Sequence, residues 1–366
     1  MELIHFRLPI DVGRGKHYSL KMSLSAERQV IPVVLVPPTS LTILTPATSA
    51  NLGPGYDSLG LALQLYNRFD VEIGGHDPAL PLIEVQGELG ADLSTGPDNL
   101  FFRAFRLLFE QRELPVPAVK IRMTIAIPPG CGLGSSATAV VGGLMAANEL
   151  LRIQNPALAY PKEDLLAPAV AAEAGNHPDN VAPALLGGLV ATMVVDGKIE
   201  AIKARFPEVL KAVIFTPSFP MDTVAGRKLL PAEYSKADVT FNTGRVALLL
   251  TALQTGRYEV IGEAMRDRLH QPYRQALFPD MPAIIEAALA AGAHGASLSG
   301  GGSSLIALAS TNFHPILQAM RETARSLGVD GRGMILNIDQ QGARIVSPHK
   351  RSRKQGSYRR APGTLV

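Results

Sequence analysis

One segment, Pro128-Pro129-Gly130-Cys131-Gly132-Leu133-Gly134-Ser135-Ser136, limits what this chain can fold into more than any other. An alternating run from Val119 to Ile127 reads as a strand ending at the two prolines, and the small, apolar run from Ser135 to Leu151 reads as a long helix. Three glycines at alternate positions let the backbone turn sharply between them and approach a ligand without Cβ obstruction. The first N–H groups of the helix then have no internal partner and lie at its positive dipole end, an anion seat suited to phosphate. Ser135 and Ser136 add hydroxyls that can ligate Mg²⁺ or bond phosphate oxygens, and either is equally able to cap the helix. The Walker loop needs a lysine at the helix start, which this segment lacks, and the glycine spacing is wrong for a dinucleotide turn. A plain glycine turn with a serine cap therefore competes with the phosphate reading when the loop is taken alone.

The rest of the chain describes a globular protein. Its 366 residues are enough for two domains, and 46% hydrophobic against 18% charged content excludes a disordered chain. No internal repeat is visible. The net charge of +3 is unevenly placed: six basic residues and no acid lie from His349 to Val366, and the first forty residues carry a net +2. Residues 41–348 are left at −5, which argues against a nucleic-acid-binding body. The single cysteine, Cys131, excludes an internal disulfide framework and fits a reducing compartment. Val30 to Val36 is broken by Pro32 and too short to span a bilayer, and no secretory signal stands ahead of it, so the expected location is the cytoplasm with no membrane partner. The first forty residues read either as a transit segment, against which Glu2, Asp11 and Glu27 weigh, or as lying ahead of a true start at Met22 or beyond.

Periodicity predicts strands over 41–45 and 67–73, a helix over 98–112, a second helix over 163–174 stopped by Gly175, and two strands joined by a turn at Asp196-Gly197. Residues 46–57 read as a loop. Beyond a boundary near residue 205, strands over 211–216, 295–299, 304–309 and 333–338 alternate with helices over 243–255, 281–291 and 313–327, an α+β arrangement built from βαβ-like pieces.

Five further segments accompany the glycine loop: Pro46-Ala-Thr-Ser-Ala-Asn51-Leu-Gly-Pro-Gly-Tyr-Asp57-Ser-Leu-Gly60, Glu173 to Gly188, Thr223 to Arg227 with Leu230-Pro231, Asp267 to Arg274, and Leu298-Ser-Gly-Gly-Gly-Ser-Ser304. Taken in this order from about Leu41 to about Val346, the chain resembles the homoserine kinases of the GHMP kinase superfamily. The resemblance implies an α+β, two-domain GHMP kinase fold: a ribosomal S5 domain 2-like amino-terminal domain (41–204) and a ferredoxin-like carboxy-terminal domain (205–346). A flexible amino-terminal extension (1–40) and a disordered basic tail (347–366) flank them. The active site is expected in the cleft between the domains, with the γ-phosphate of ATP passing to the side-chain hydroxyl of L-homoserine on the way to threonine. A homodimer is common in that superfamily.

The resemblance also distributes roles. ATP would lie against the loop from Pro128 to Ser136, on Ala137 and Thr138 of the following helix, and near Asn99 and Thr223; a helix cap and a turn residue are the plain alternatives for those last two. With no lysine in the loop, Mg²⁺ would neutralise the phosphates, held by Ser135 and Glu173. Arg227 and Arg274 would take the substrate carboxylate by paired, charge-assisted bonds, Asp57 with Asn51 the ammonium, and His177 with Asn180 the hydroxyl end. Asp179, just ahead of a helix, suits an N-cap better than a base. Relatives in the superfamily use an aspartate near the position of Asn180, and an amide cannot usefully accept a proton. Catalysis is therefore expected to rest on positioning by Asn180 and Asp179, with the proton leaving to phosphate or solvent.

Two departures stand out. Cys131 occupies a variable loop position, where a nearby helix N-terminus would acidify its thiol, and Ser303 stands where proline is usual. The alternatives to homoserine phosphorylation are another GHMP kinase acting on shikimate, a mevalonate-like alcohol or a polyol, and a non-catalytic nucleotide-binding regulator. A neutral polyol would leave Arg227 and Arg274 unpaired, and a decayed site would have lost Ser135 or Glu173.

Overall fold

The computed structural model describes residues 40–74, 77–173 and 177–346, together with the backbone of two short paired strands, β1 (Phe6–Arg7) and β2 (Ser19–Leu20). The expectations for the rest of the amino-terminal extension, for the basic tail and for Gly175 lie outside the described residues.

The first sheet is built on two long strands. β3 (Ser40–Ala50) pairs antiparallel with β4 (Leu59–Ile73), and β4 continues to β6 (Val119–Thr124). The strand expected to end at Thr45 runs on through Pro46, because the register shifts between Pro46 and Ala47 and the bulge accommodates the missing N–H. The sheet is extended by β5 (Leu82–Gln86), parallel to β6, a largely exposed strand whose slight burial leaves little apolar alternation to mark it. β7 (Leu189–Val195) and β8 (Lys198–Ala204) form the expected hairpin at Asp196-Gly197 and join β4. Against one face pack α1 (Leu100–Gln111), α2 (Ser135–Gln154), α3 (Leu166–Ala172) and α4 (Pro178–Leu186), closing a core of Phe69, Phe101, Phe105, Val140, Leu144 and Val181. The helix expected over 163–174 is a 3-10 turn, Glu163–Leu165, followed by α3. The strand expected to reach Ile127 ends at Thr124, after which Asn67 Oδ1 accepts the N–H groups of Ala126 and Ile127.

The second sheet comprises β9 (Lys211–Pro217), β10 (Gly295–Leu298), β11 (Leu305–Ala309) and β12 (Gly331–Leu336) in the order β10-β11-β9-β12, every neighbour antiparallel. Two crossovers each skip one strand: α5 (Thr223–Lys228), α6 (Lys236–Thr255), α7 (Ile261–Ala264), α8 (Gln271–Arg274) and α9 (Met281–Ala290) link β9 to β10, and α10 (Phe313–Ser326) links β11 to β12. This is the split βαβ, ferredoxin-like arrangement. α6 begins seven residues earlier than its apolar pattern indicates. Ser235 caps it by accepting the Asp238 N–H, and the first turns are too exposed to show periodicity.

Strand period decides how the two sheets meet. Ala212 and Ile214 of β9 face a core shared with Ala47, Leu61 and Leu63 of the first sheet, with Leu133 of the glycine loop and with Leu249 of α6. Val213 and Phe215 face outward to Ile284 of α9 and Ile316 of α10. The chain then returns, and β13 (Arg344–Val346) pairs with β3 at the edge of the first sheet. Among the described residues no helix is long and apolar enough to cross a membrane.

Candidate active site

The glycine loop lies where the sheets meet, and it is interlocked with two other loops. Gly130, Gly132 and Gly134 all have positive φ. A Cβ on Gly134 would lie 1.9 Å from Thr48 Oγ1 and 3.2 Å from Asn180 Oδ1. The third motif closes over the loop from the second sheet: Ser304 N–H donates to Cys131 O at 2.9 Å, and Ser299 Oγ to Gly132 O at 2.7 Å. Met221 N–H, ahead of α5, donates to Gly130 O. The peptide bond between Gly302 and Ser303 is cis, and Ser303 Oγ donates to Phe219 O.

α2 starts at Ser135 with Gly134 as its N-cap in the left-handed region, and no side chain caps it. The serine-cap reading is therefore corrected, since Ser135 and Ser136 stand inside the first turn and its leading N–H groups are left for an anion. Ala137 and Thr138 follow on the same turn, buried, with Thr138 Oγ1 donating to Ser135 O. The expected acidification of Cys131 is also corrected. It precedes the helix by four residues, its Sγ donates to Pro129 O, and burial pushes the thiol up.

Glu173 Oε1 accepts from Ser136 Oγ at 2.8 Å, which fixes the carboxylate beside the first turn of α2. Glu173 Oε2 is buried without a partner among the described residues, and burial raises the carboxyl above its ordinary range. A hydroxyl and an orphaned carboxylate oxygen beside an uncapped helix start form a donor set that fits a hard cation such as Mg²⁺. Among the described residues no three His, Cys, Asp or Glu gather to hold a metal alone, so such a cation would share its ligands with phosphate oxygens.

The residues expected to bind the substrate come together where the two sheets meet. Arg227 of α5 forms a two-pronged ion pair with Asp57, at 2.8 and 3.0 Å, and donates to Tyr56 Oη at 2.6 Å. His177 Nδ1 lies 3.3 Å from Asp57 Oδ2, and burial holds His177 below its usual range. Asn51 donates from Nδ2 to Gly300 O and accepts the Asp57 N–H, which places the carboxylate. Arg274, only 1% exposed, donates to Gly300 O at 2.8 Å, and its Nε is buried without a partner among the described residues. Thr223 starts α5 behind the cap of Asp222, and its Oγ1 would stand 3.4 Å from a Cβ on Gly301 of the third motif. Asn99 caps α1, accepting from Phe101 and Phe102 N–H and donating to Ser94 O, which engages both of its polar atoms.

α4 carries Asp179 and Asn180. The N-cap position belongs to His177, so the cap reading of Asp179 is corrected: it stands inside the first turn, 3% exposed. Asn180 Oδ1 accepts from Thr48 Oγ1 at 2.8 Å and its Nδ2 donates to Asp179 Oδ1 at 3.3 Å. Burial, and then the charge of Asp57, push the Asp179 carboxyl up to about 7. Raised above its value of 3.8 in the unfolded chain, it makes the folded state lose stability as pH climbs from about 4 to about 7, with the full loss retained above. Asp179→Asn is accordingly expected to raise the melting temperature at pH 8, by the equivalent of a few kcal/mol at most, with the gain vanishing near pH 4. Turnover should stay within about tenfold of wild type if Asp179 only positions Asn180. A pH-independent change in melting temperature would contradict the burial account, and a thousandfold loss of kcat with both KM values intact would make Asp179 the base.

Three contributors escaped the sequence reading. Thr48 and Tyr56 lie in the first motif, and His270 in the segment 267–274. His270 is fully buried, stacks on the Tyr56 ring and bonds Gly53 O at 2.8 Å. Their signal was present only as motif membership, because a lone Thr, Tyr or His has no spacing pattern that announces a role.

Residues 99–188 match the GHMP kinases N terminal domain and residues 249–326 the GHMP kinases C terminal domain. A homoserine kinase of Microchaete diplosiphon is 40% identical over 306 residues, covering 83% of this chain and 97% of that protein. One from a Synechococcus strain is 41% identical over 309 residues, covering 83% and 97%. The crystal structure of homoserine kinase from Cytophaga hutchinsonii superposes with a TM-score of 0.76 at 28% identity, covering 88% of this chain and all of that one. The mevalonate kinase of L. major, at 18% identity and a TM-score of 0.62, shares the fold. On these relatives, and on two sheets that interlock at a glycine loop, the chain belongs to the homoserine kinase family of the GHMP kinases.

Proposed function

We propose that this chain transfers the γ-phosphate of ATP to the side-chain hydroxyl of L-homoserine, yielding O-phospho-L-homoserine and ADP. The observation that carries the acceptor is Arg274: a buried guanidinium with an unpartnered Nε and no carboxylate in ion-pair reach among the described residues is a seat for an anion. Arg227 stands on α5, whose Gly226 lies beside Arg274, with a Cβ position 3.6 Å from Arg274 Nε. The site thus offers a carboxylate seat and, at Asp57, an ammonium seat, as an amino acid requires and a polyol does not.

The uncapped start of α2 and the loop from Pro128 to Gly134 hold the phosphates through backbone N–H groups. Ser135 and Glu173 would hold Mg²⁺, with Ser136 orienting Glu173; when bound, the cation neutralises charge on the transferring phosphoryl group. Asn180, fixed between Thr48 and Asp179, and His177, fixed by Asp57, orient the acceptor hydroxyl. Their contribution is alignment, and the proton leaves to phosphate or solvent. Incubation with ATP, Mg²⁺ and L-homoserine, followed by 31P NMR, should show loss of the γ-phosphate signal and growth of one phosphomonoester signal coupled to the homoserine side-chain methylene. Inorganic phosphate as the sole product would sink the proposal.

A further inference from the structure

Tyr56 sits at the centre of the substrate-side cluster and belongs to none of the roles assigned so far. Its ring is shared by both arginines, with the Arg227 guanidinium carbon 5.5 Å and that of Arg274 5.7 Å from the ring centroid. Its hydroxyl oxygen accepts from Arg227 at 2.6 Å, and among the described residues the phenolic proton has no protein acceptor. The Tyr56 ring is also packed by His270, whose ring lies 5.3 Å away in a stacked arrangement. His270 in turn is pinned at both nitrogens. Its Nδ1 faces the Arg274 donor at 3.4 Å and therefore accepts, which leaves Nε2–H to donate to Gly53 O at 2.8 Å. That bond ties the ring to the same loop that carries Tyr56 and Asp57.

We propose that Tyr56 is a positioning and specificity residue for the amino-acid substrate, its ring setting the spacing of the two guanidinium groups and its hydroxyl adding a third donor to the carboxylate seat. Both guanidinium groups lie within about 6 Å of one ring; Asp57 holds Arg227, and Arg274, with no carboxylate partner among the described residues, is left for the ligand's carboxylate. The phenol, braced by Arg227 on its oxygen, has its proton left to give to that carboxylate. A ligand with a hydroxyl but no carboxylate leaves the Arg274 Nε and the Tyr56 hydroxyl unsatisfied, which sharpens rejection beyond what Arg274 achieves alone.

This inference rests on the reading that Arg227 and Arg274 receive the carboxylate, and the test separates the two. Tyr56→Phe keeps the ring and the stack on His270 and removes only the hydroxyl, so it leaves the fold intact. Its KM for L-homoserine should rise roughly 3- to 10-fold, with kcat and the KM for ATP unchanged. Arg227→Gln, measured beside it, should raise the homoserine KM further. A wild-type homoserine KM in Tyr56→Phe, with Arg227→Gln impaired, overturns the role of Tyr56. Equal rises in the KM values for homoserine and ATP also overturn it, since they report general loosening of the cleft. A wild-type homoserine KM in Arg227→Gln overturns the carboxylate reading itself, and the role of Tyr56 with it.

Discussion

Gly132→Ala is expected to lower the melting temperature by roughly 5–15 °C and to reduce kcat/KM for ATP at least 100-fold or so. Gly132 has φ +75°, a region where a residue with a side chain is disfavoured by about 1–2 kcal/mol. A Cβ there would also lie 2.2 Å from Ser299 O and 2.8 Å from Gly302 O, both backbone atoms of the third motif. Neither can swing aside, because Ser299 Oγ bonds Ser49 Oγ and Gly132 O, and Gly300 N–H bonds Ala50 O. The added methyl must therefore push the two sheets apart at the phosphate loop, so stability and ATP use fall together. Thermal melts beside ATP titrations check this; a variant that melts as wild type with an unchanged KM for ATP would mean that the loops are not interlocked as described.

Arg274→Met should behave in the opposite way, leaving the fold nearly untouched while removing the acceptor. The guanidinium is buried beside Tyr56 and His270, and desolvation pushes its pKa down. Relief of that burden offsets the loss of its bonds to Gly300 O and His270, so the melting temperature should shift by only a few degrees or so. Loss of a charge-assisted pair to the substrate carboxylate should raise the KM for L-homoserine by roughly 100-fold or more, with the KM for ATP unchanged. A large fall in stability with homoserine binding preserved would reassign Arg274 as a structural brace between α8 and the third motif.

The outline of both sheets was legible wherever burial imposed a period on the chain, as in Val119 to Thr124 or the two-sided strand 211–217. It was not legible where burial was slight, as in β5 and the first turns of α6, or where a bulge carried a strand through Pro46. The glycine loop could be read as an anion seat from its residue types alone, because positive φ and an uncapped helix start follow from local chemistry. The acceptor side could not. Asp57 and Arg227 stand 170 positions apart and meet only when α5 is laid against the first motif. The orphaned Nε of Arg274, the shared ring of Tyr56 and the buried carboxyl of Asp179 depend on which atoms surround them, and no spacing rule encodes that. Cys131 shows the reverse hazard: the loop's position suggested an acidic thiol, and burial decided otherwise.

The central claim is that this cleft seats ATP and a zwitterionic alcohol together. A coupled ADP-release assay with L-homoserine, shikimate, mevalonate and galactose as competing acceptors tests it most directly. L-Homoserine should give Mg²⁺-dependent turnover at least about 100-fold above each of the others in kcat/KM, because each lacks the ammonium, the carboxylate or both. Turnover of shikimate, mevalonate or galactose with none of L-homoserine would contradict the account.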